Sequence, residues 1–148
     1  MSLVRLVAFH DVEEAQGASR GPLRFALAIA RAPEGVVLVL NRYRRVWELP
    51  GGLIDPGENA RSAAARELAE EAGAEAGELE WLGVIEVDGG SRYFGAVFRC
   101  AVNSVSPLAE NEEIDAVGFW RADAYPEPLG PTDAALLARF GQQGPINP

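Results

Sequence analysis

Residues 52–74, GLIDPGENARSAAARELAEEAGA, combine a turn rich in glycine and proline with a predicted helix that carries three clustered glutamates. An α-helix advances by about 100° per residue, so Glu67, Glu70 and Glu71 share one face. Like charges at this spacing repel at a cost of about 0.2–0.5 kcal/mol per pair in an isolated helix. Ser62, Ala63, Ala64 and Ala74 surround the cluster, so we expect no Lys or Arg four residues away to relieve this repulsion. A hard divalent cation such as Mg²⁺ binds oxygen ligands of this kind, and the cluster predicts such a site.

The same stretch carries the signals of a helix with defined ends. Asn59 is a candidate N-cap and Gly73 a candidate C-terminal stop, while Pro56 and Gly57 supply a turn. The face opposite the glutamates is small enough to pack against a sheet. It consists of Ala64, Ala65, Leu68 and Ala72. The alternative interpretation is an amphipathic helix whose acidic face is only solvated.

The order and spacing of the residues in this stretch resemble the Nudix box, the signature of the Nudix hydrolase superfamily. The matching residues are Gly52, Glu58, Arg66, Glu67, Leu68, Glu70, Glu71 and Gly73. Ala74 departs from the pattern, because the family usually has a bulkier aliphatic residue there. The segment WELPG, residues 47–51, is also similar to the sequence that precedes the box in many members. The resemblance implies the Nudix fold, in which the box forms a loop–helix–loop at the edge of a mixed sheet.

The composition predicts one globular domain over residues 1–148, with 141–148 as a loose tail. The single cysteine, Cys100, excludes an internal disulfide, and the single histidine, His10, argues against a His-rich metal site or a Ser-His-Asp triad. A net charge of −9 argues against a nucleic-acid partner, which needs a basic surface. We expect no leader and no membrane partner, and therefore a cytoplasmic location.

Hydrophobic alternation predicts strands over residues 3–12, 23–31, 35–43, 46–49, 79–87, 92–102 and 114–120. Thr132 can cap a final helix that runs to Phe140. Several strands with one central and one C-terminal helix predict an α/β fold, in which helices cover both faces of a mixed sheet. This is the α/β/α sandwich that the resemblance also implies.

The resemblance assigns metal ligands within the box. Glu67, Glu70 and Glu71 correspond to metal-binding glutamates, and the carbonyl of Gly51 adds a further oxygen. The implied cofactor is Mg²⁺, with Mn²⁺ as a substitute. Arg66 is expected to orient the box glutamates through ion pairs rather than to touch substrate.

The general base is less narrowly defined by the resemblance. In some family members it is the glutamate that matches Glu67, and in others a glutamate from a later loop. Here the candidates in that loop are Glu110, Glu112 and Glu113. We favour Glu113, because a Glu-Ile pair followed by a strand ending in Trp is similar to a common family pattern. The alternative is a solvated acidic loop.

Basic and aromatic residues near the box are candidates for substrate contact. Arg42 and Arg45, with Arg44 between them, lie at the predicted strand end, and arginine suits bidentate phosphate binding. Strand alternation predicts that Arg42 and Arg44 share one face. Tyr93 is a candidate to stack on a base, as are Trp47 and Phe94, although core packing is the alternative role for each aromatic.

Nudix enzymes typically hydrolyse a nucleoside diphosphate linked to another group, and the small-molecule substrate is expected to be of this kind. The segment RYRRVWELPGGLIDPGE, residues 42–58, is similar to ADP-ribose and nucleotide-sugar pyrophosphatases, although many of those have Ala where this chain has Gly51. A (d)NTP pyrophosphohydrolase of the MutT type is the alternative enzyme. A nucleotide-binding regulator without turnover is the alternative of another class, and a homodimer is left open.

Overall fold

The sheet that organises the chain is seen in a computed structural model, which describes residues 4–106 and 111–142. The strands are β1 (Arg5–His10), β2 (Leu23–Ala32), β3 (Gly35–Asn41), β4 (Trp47–Glu48), β5 (Gly51–Leu53), β6 (Glu80–Asp88), β7 (Arg92–Ala101) and β8 (Ile114–Trp120). The helices are α1 (Ala60–Ala72) and α2 (Pro131–Phe140), and a single 3₁₀ turn spans Glu14–Gln16. No helix in the described ranges has the length and apolar character that a membrane span requires.

The eight strands form one sheet, which confirms the predicted mixed sheet, although β5 was not among the seven predicted strands. The main order is β1-β6-β7-β2-β3-β4, with β5 paired to β2 and β8 paired to β3. Among the strand pairs of the described residues, β2 and β7 run parallel and the other pairs are antiparallel.

One edge of β2 is shared by two partners. Its last residues, Arg31 and Ala32, pair with β3, whereas its first half pairs with β5 from Phe25 to Leu27. The strand β3 therefore separates from β2 where β5 begins. This division opens the sheet beside the box turn, which is where the cleft described below lies.

Helices cover both faces of the sheet, which confirms the predicted sandwich. The core between the sheet and α1 contains small residues from both layers together with Phe98 and Leu68. The core on the other face joins Leu136, Leu137 and Phe140 of α2 to the sheet.

The ends of α1 follow the sequence signals. The side chain of Asn59 accepts a hydrogen bond from the backbone N–H of Ser62 at 2.8 Å, and it is the N-cap. Gly73 ends the helix in the left-handed region, at φ 61°, which glycine adopts without steric cost. The face predicted to pack is buried at Ala64, Leu68 and Ala72.

The prediction that β3 runs to residue 43 is wrong. The strand ends at Asn41, whose side-chain oxygen accepts the backbone N–H groups of Tyr43 and Arg44, both at 2.9 Å. An asparagine that binds the next backbone amides in this way forms a turn instead of continuing a ladder. Arg45 then adopts a positive φ of 56°. Strand alternation therefore does not apply to residues 42–45, and Arg42 and Arg44 do not share a strand face.

The predicted tail at 141–148 falls mostly outside the described residues, as does Glu110.

Candidate active site

A cleft of about 690 Å³ lies where the sheet opens beside the box turn. One part of its lining is apolar and includes Phe25, Leu27 and Tyr93. The charged residues of the lining are Arg44, Glu48, Asp55, Glu67, Glu71, Glu113 and Asp133. Acidic side chains thus predominate among the charged residues of the lining, while its apolar wall suits a flat ring.

Glu67 lies directly against the glycine turn. A Cβ atom at Gly52 would stand 2.7 Å from its Oε1 oxygen, so only glycine allows the carboxylate to approach the backbone this closely. The side chain of Glu67 is 12% exposed, and Arg66 donates a hydrogen bond to it at 2.9 Å. Burial raises the pKa of this carboxyl, and the Arg66 contact opposes the shift.

Glu71 is buried one helical turn further along α1, with 6% of the residue exposed. It accepts a hydrogen bond from the backbone N–H of Gly51 at 2.8 Å. Burial raises its pKa to about 8, and the negative charges of Glu67 and Glu113 act in the same direction. The lack of water and the nearby negative charges therefore both disfavour the ionised form of this carboxyl.

Glu70 differs from the other two box glutamates. Its side chain is 57% exposed, and it does not line the cleft. Arg66, four residues earlier on α1, contacts it at 3.3 Å. The expectation that no Lys or Arg stands four residues from the cluster is therefore wrong, because Arg66 has this spacing from Glu70 and also contacts Glu67.

Arg66 joins the helix to the box turn. Its guanidinium donates to both carboxylate oxygens of Glu58, at 2.8 and 2.9 Å, and to the carbonyl of Leu53 at 3.1 Å. The bond from Arg66 lowers the pKa of Glu58 to about 2, and the N–H of Asp55 adds to the shift. The same bonds with Glu58 raise the pKa of Arg66. This residue therefore links the two sides of the loop–helix–loop.

Glu113 faces the box from the start of β8. It lines the cleft, whereas Glu112 does not, and its charge raises the pKa values of Glu67 and Glu71. The side chain of Asn111 accepts the N–H groups of Glu113 and Ile114, at 2.7 and 3.0 Å. This turn directs the loop toward the box.

The arginines before the box separate into two groups. Arg42 and Arg45 both bind Asp115, the former at 2.7 Å, and neither lines the cleft. The bond from Arg42 lowers the pKa of Asp115, and Arg45 acts in the same direction. Because the chain turns after Asn41, Arg44 is the arginine of these three that lines the cleft, and the contact of Arg42 or Arg45 with substrate stays a prediction.

Arg44 itself is held by an acidic partner. It donates to both carboxylate oxygens of Glu48, at 3.0 and 2.7 Å, and this bond raises its pKa. Its positive charge is thus largely balanced within the cleft wall.

Among the aromatic candidates, only Tyr93 lines the cleft. Its ring meets Phe25 edge-on with centroids 5.7 Å apart. Trp47 instead packs against Gly118, and Phe94 lies near His10 with ring centroids 6.4 Å apart.

Two residues at the start of α2, Thr132 and Asp133, line the cleft, although neither was predicted from the sequence as a site residue. Asp133 is buried and accepts the N–H of Leu49 at 2.8 Å, and burial raises its pKa to about 7. Thr132 was predicted to cap the helix, but the N-cap is Gly130, and the Thr132 hydroxyl is buried with no hydrogen-bond partner in the described structure. The sequence signal that could have pointed to these residues is the polar pair directly after Pro131. Their burial could not be predicted, because it depends on strands that are distant in the sequence.

The donor set of the box fits a hard divalent cation. No three acidic, histidine or cysteine side chains within residues 4–106 and 111–142 already converge tightly enough to enclose a metal. Mg²⁺ keeps several waters and needs only one or two carboxylates, so a closed cage is not required. Glu67 and Glu71 offer these carboxylates in a partly desolvated cleft, where a cation would offset the charge that raises their pKa values.

In curated relatives the similarity is confined to a short segment. A protein of Bacillus subtilis (strain 168) named "Putative 8-oxo-dGTP diphosphatase" is 43% identical over 51 residues, which are 34% of this chain and 34% of that protein. A protein of Mycobacterium tuberculosis (strain ATCC 25618 / H37Rv) named "Putative 8-oxo-dGTP diphosphatase 2" is 61% identical over 33 residues, which are 22% of this chain and 23% of that protein. The chain thus matches about a third or less of the length of these relatives.

Solved structures share the fold over most of the chain. The MutT NUDIX hydrolase of Burkholderia pseudomallei superposes with a TM-score of 0.67 at 23% identity, covering 80% of this chain and 98% of that one. The NUDIX domain of Shewanella oneidensis NrtR, crystallised with ADP ribose, gives 0.69 at 20% identity, covering 86% and 96%. At this level of identity the likeness concerns the fold alone. The family model for the NUDIX domain matches residues 22–140, which include both helices and most of the sheet. The chain therefore belongs to the NUDIX domain family.

Proposed function

We propose that this protein is a hydrolase that cleaves a phosphoanhydride bond in a nucleoside diphosphate linked to another group, with a divalent cation bound at the cleft. The observation that carries the proposal is the position of Glu67 and Glu71. Both carboxylates face the cleft beside the glycine turn, and Glu113 lines the same cleft from the residue before β8.

In this proposal Glu67 and Glu71 hold Mg²⁺, with Mn²⁺ as a substitute, and Glu70 and the carbonyl of Gly51 complete the ligand set. When bound, the cation screens the negative charge of the diphosphate and so favours attack by water at phosphorus. Gly52 lets Glu67 approach the backbone, and the N–H of Gly51 orients Glu71. Arg66 acts as a positioning residue, because it ties Glu67 to Glu58 across the turn.

Glu113 is the proposed general base. The oxygen of the attacking water bonds to phosphorus, its proton passes to the Glu113 carboxylate, and the phosphoanhydride P–O bond breaks to release two phosphorylated products. Support comes from the position of Glu113 opposite Glu67 and Glu71, which raises their pKa values. Glu67 remains the alternative base.

The cleft also suggests how the nucleotide is held. The apolar wall with Tyr93 and Phe25 suits a base or ribose, and Arg44 is the proposed arginine contact in preference to Arg42 and Arg45. The segment at residues 42–58 favours ADP-ribose or a nucleotide sugar as substrate. A (d)NTP is the second candidate, favoured by the names of the two bacterial relatives.

A substrate panel with product identification by mass tests the proposal. ADP-ribose, nucleotide sugars, dNTPs and oxidised dNTPs would each be incubated with Mg²⁺ and with Mn²⁺. AMP plus ribose 5-phosphate indicates the first candidate, and a nucleoside monophosphate plus pyrophosphate indicates the second. Nucleotide binding without turnover of any of these substrates would contradict catalysis and favour a binding regulator.

A further inference from the structure

The strand β2 contains an irregularity beside the cleft. Along its parallel pairing with β7, Leu23 lies opposite Phe94 and Phe25 lies opposite Gly95, so Arg24 is an extra residue with no opposing partner. An inserted residue of this kind is a β-bulge, and bulges next to functional sites redirect a side chain.

The bulge changes which face of the sheet the first residues of β2 occupy. Leu23 and Ala26 both pack toward α1, although strict alternation would put residues three apart on opposite faces. Phe25 packs toward α2. The side chain of Arg24 joins Phe25 on this second face, where its guanidinium lies 5.1 Å from the centroid of the Tyr93 ring.

This contact places a positive charge against Tyr93 of the cleft wall, although Arg24 does not itself line the cleft. Tyr93 lines the cleft, and the carbonyl of Arg24 accepts the N–H of Ile54 in the box turn at 3.0 Å. Arg24 therefore lies one strand away from the box turn, and neighbouring strands are about 4.8 Å apart. The face of an aromatic ring holds a guanidinium by a cation–π interaction while leaving its N–H groups free for other bonds.

The charges around the cleft explain why this position matters. Six of the charged lining residues are acidic and one, Arg44, is basic, and Arg44 is bound to Glu48. Arg24 is exposed, and in the described ranges it has no carboxylate within ion-pair distance. A diphosphate entering a negatively charged cleft is attracted by a basic group of this kind.

We propose that Arg24, held on Tyr93 by the bulge, forms an anion-binding subsite that takes a phosphate group of the substrate on the β7 side of the box glutamates. The inference rests on the proposed function and adds a specificity-determining contact to it. The competing explanation is that Arg24 only covers the rings of Tyr93 and Phe25 with the apolar part of its side chain.

Three variants separate these explanations. Arg24→Met keeps an unbranched apolar side chain over Tyr93 but removes the charge, whereas Arg24→Lys keeps the charge. Arg121→Gln is the matched control. It removes one exposed positive charge at the residue that follows Trp120. Trp120 pairs with Val36, which lies at the end of β3 away from Asn41 and the cleft.

The probe is α,β-methylene-ADP, which cannot be hydrolysed, and its Kd is measured by calorimetry in Mg²⁺ at several salt concentrations. We expect Arg24→Met to raise Kd about tenfold, as for the loss of one charge-assisted hydrogen bond. Its Kd should also depend less on salt, because one phosphate contact is lost. Arg24→Lys should recover part of the affinity, and Arg121→Gln should bind like the wild type.

Two results would overturn the subsite: an unchanged Kd in Arg24→Met, or equal losses in Arg24→Met and Arg121→Gln. Thermal unfolding shows whether each variant is folded. If Arg24→Met does not fold, Arg24→Gln takes its place, and wild-type affinity of the folded Arg24→Gln variant would equally overturn the subsite. A wild-type protein that binds no nucleotide analogue would instead contradict the proposed function itself.

Discussion

Glu71 and Gly51 are joined by a hydrogen bond of 2.8 Å from the backbone N–H of the glycine to the carboxylate, across the gap between α1 and β5. The bond fixes a buried carboxylate at the point where the sheet opens. Glu67 lies against the next residue, Gly52. The two glycines therefore set the position of both cleft-facing glutamates of the box, whereas Glu70 projects toward solvent.

The difference in burial predicts unequal roles for the glutamates. Glu71→Gln should lower kcat/KM in saturating Mg²⁺ by about 10²-fold or more, since it removes a metal-binding charge. Glu70→Gln should reduce it less, because that side chain is mostly exposed. Without metal, Glu71→Gln should unfold at the same or a higher temperature than the wild type, because an amide is cheaper to bury than a carboxylate. Steady-state kinetics and thermal unfolding of the two variants check this, and equal activity losses would argue against it.

Glu113 and Glu112 form a matched pair for testing the base. Glu113→Gln should lower kcat by about 10²–10⁴-fold, the usual range for a general base, with little change in nucleotide affinity. Glu112→Gln removes the same charge from the neighbouring residue, which does not line the cleft, and should have little effect. Single-turnover rates for both variants measure the chemical step. Similar small effects would remove Glu113 from the mechanism and leave Glu67 as the base.

The pairing of Arg66 with Glu58 predicts a pH-dependent contribution to stability. The pKa of Glu58 is lowered to about 2 in the folded protein, chiefly by its bonds from Arg66. A lowered pKa adds stability above the unfolded-state value of 4.5, and this stability is lost as the pH falls toward 2. Arg66→Gln should therefore unfold at a lower temperature than the wild type at pH 6, and the difference should shrink at pH 3. A difference that does not change with pH would show that packing, rather than the ion pair, is responsible.

Asp133 predicts a pH dependence of the opposite sign. Burial raises its pKa from 3.8 to about 7, so the folded state binds more protons than the unfolded state between these values. Its contribution to stability therefore falls as the pH rises from about 4 to 7. Asp133→Asn keeps an oxygen that can accept the N–H of Leu49. At pH 8 it should raise the unfolding temperature by a few degrees, which corresponds to about 1 kcal/mol in the free energy of unfolding. The gain should vanish near pH 4, and a gain independent of pH would contradict the assignment.

The local parts of the site could be predicted from sequence. The cap at Asn59, the stop at Gly73 and the spacing of the glutamates all depend on residues within a few turns of each other. The mixed sheet with a helix on each face also follows from the order of strands and helices.

The cleft depends on contacts between distant segments and could not be predicted in this way. It opens because β3 and β5 share one edge of β2, and Asp133 becomes buried because α2 packs beside Leu49. The turn after Asn41 also overrides the alternation that extended β3. These features decide that Arg44 reaches the cleft while Arg42 and Arg45 bind Asp115.

The most direct test of the metal site is calorimetric titration of Mg²⁺ into the wild type, Glu71→Gln and Glu112→Gln, each with α,β-methylene-ADP present. We predict that the wild type and Glu112→Gln bind the ion with similar affinity and that Glu71→Gln binds it at least about tenfold more weakly. Equal Mg²⁺ affinity in all three proteins, or no uptake of Mg²⁺ by the wild type, would contradict the assignment of Glu67 and Glu71 as the centre of the active site.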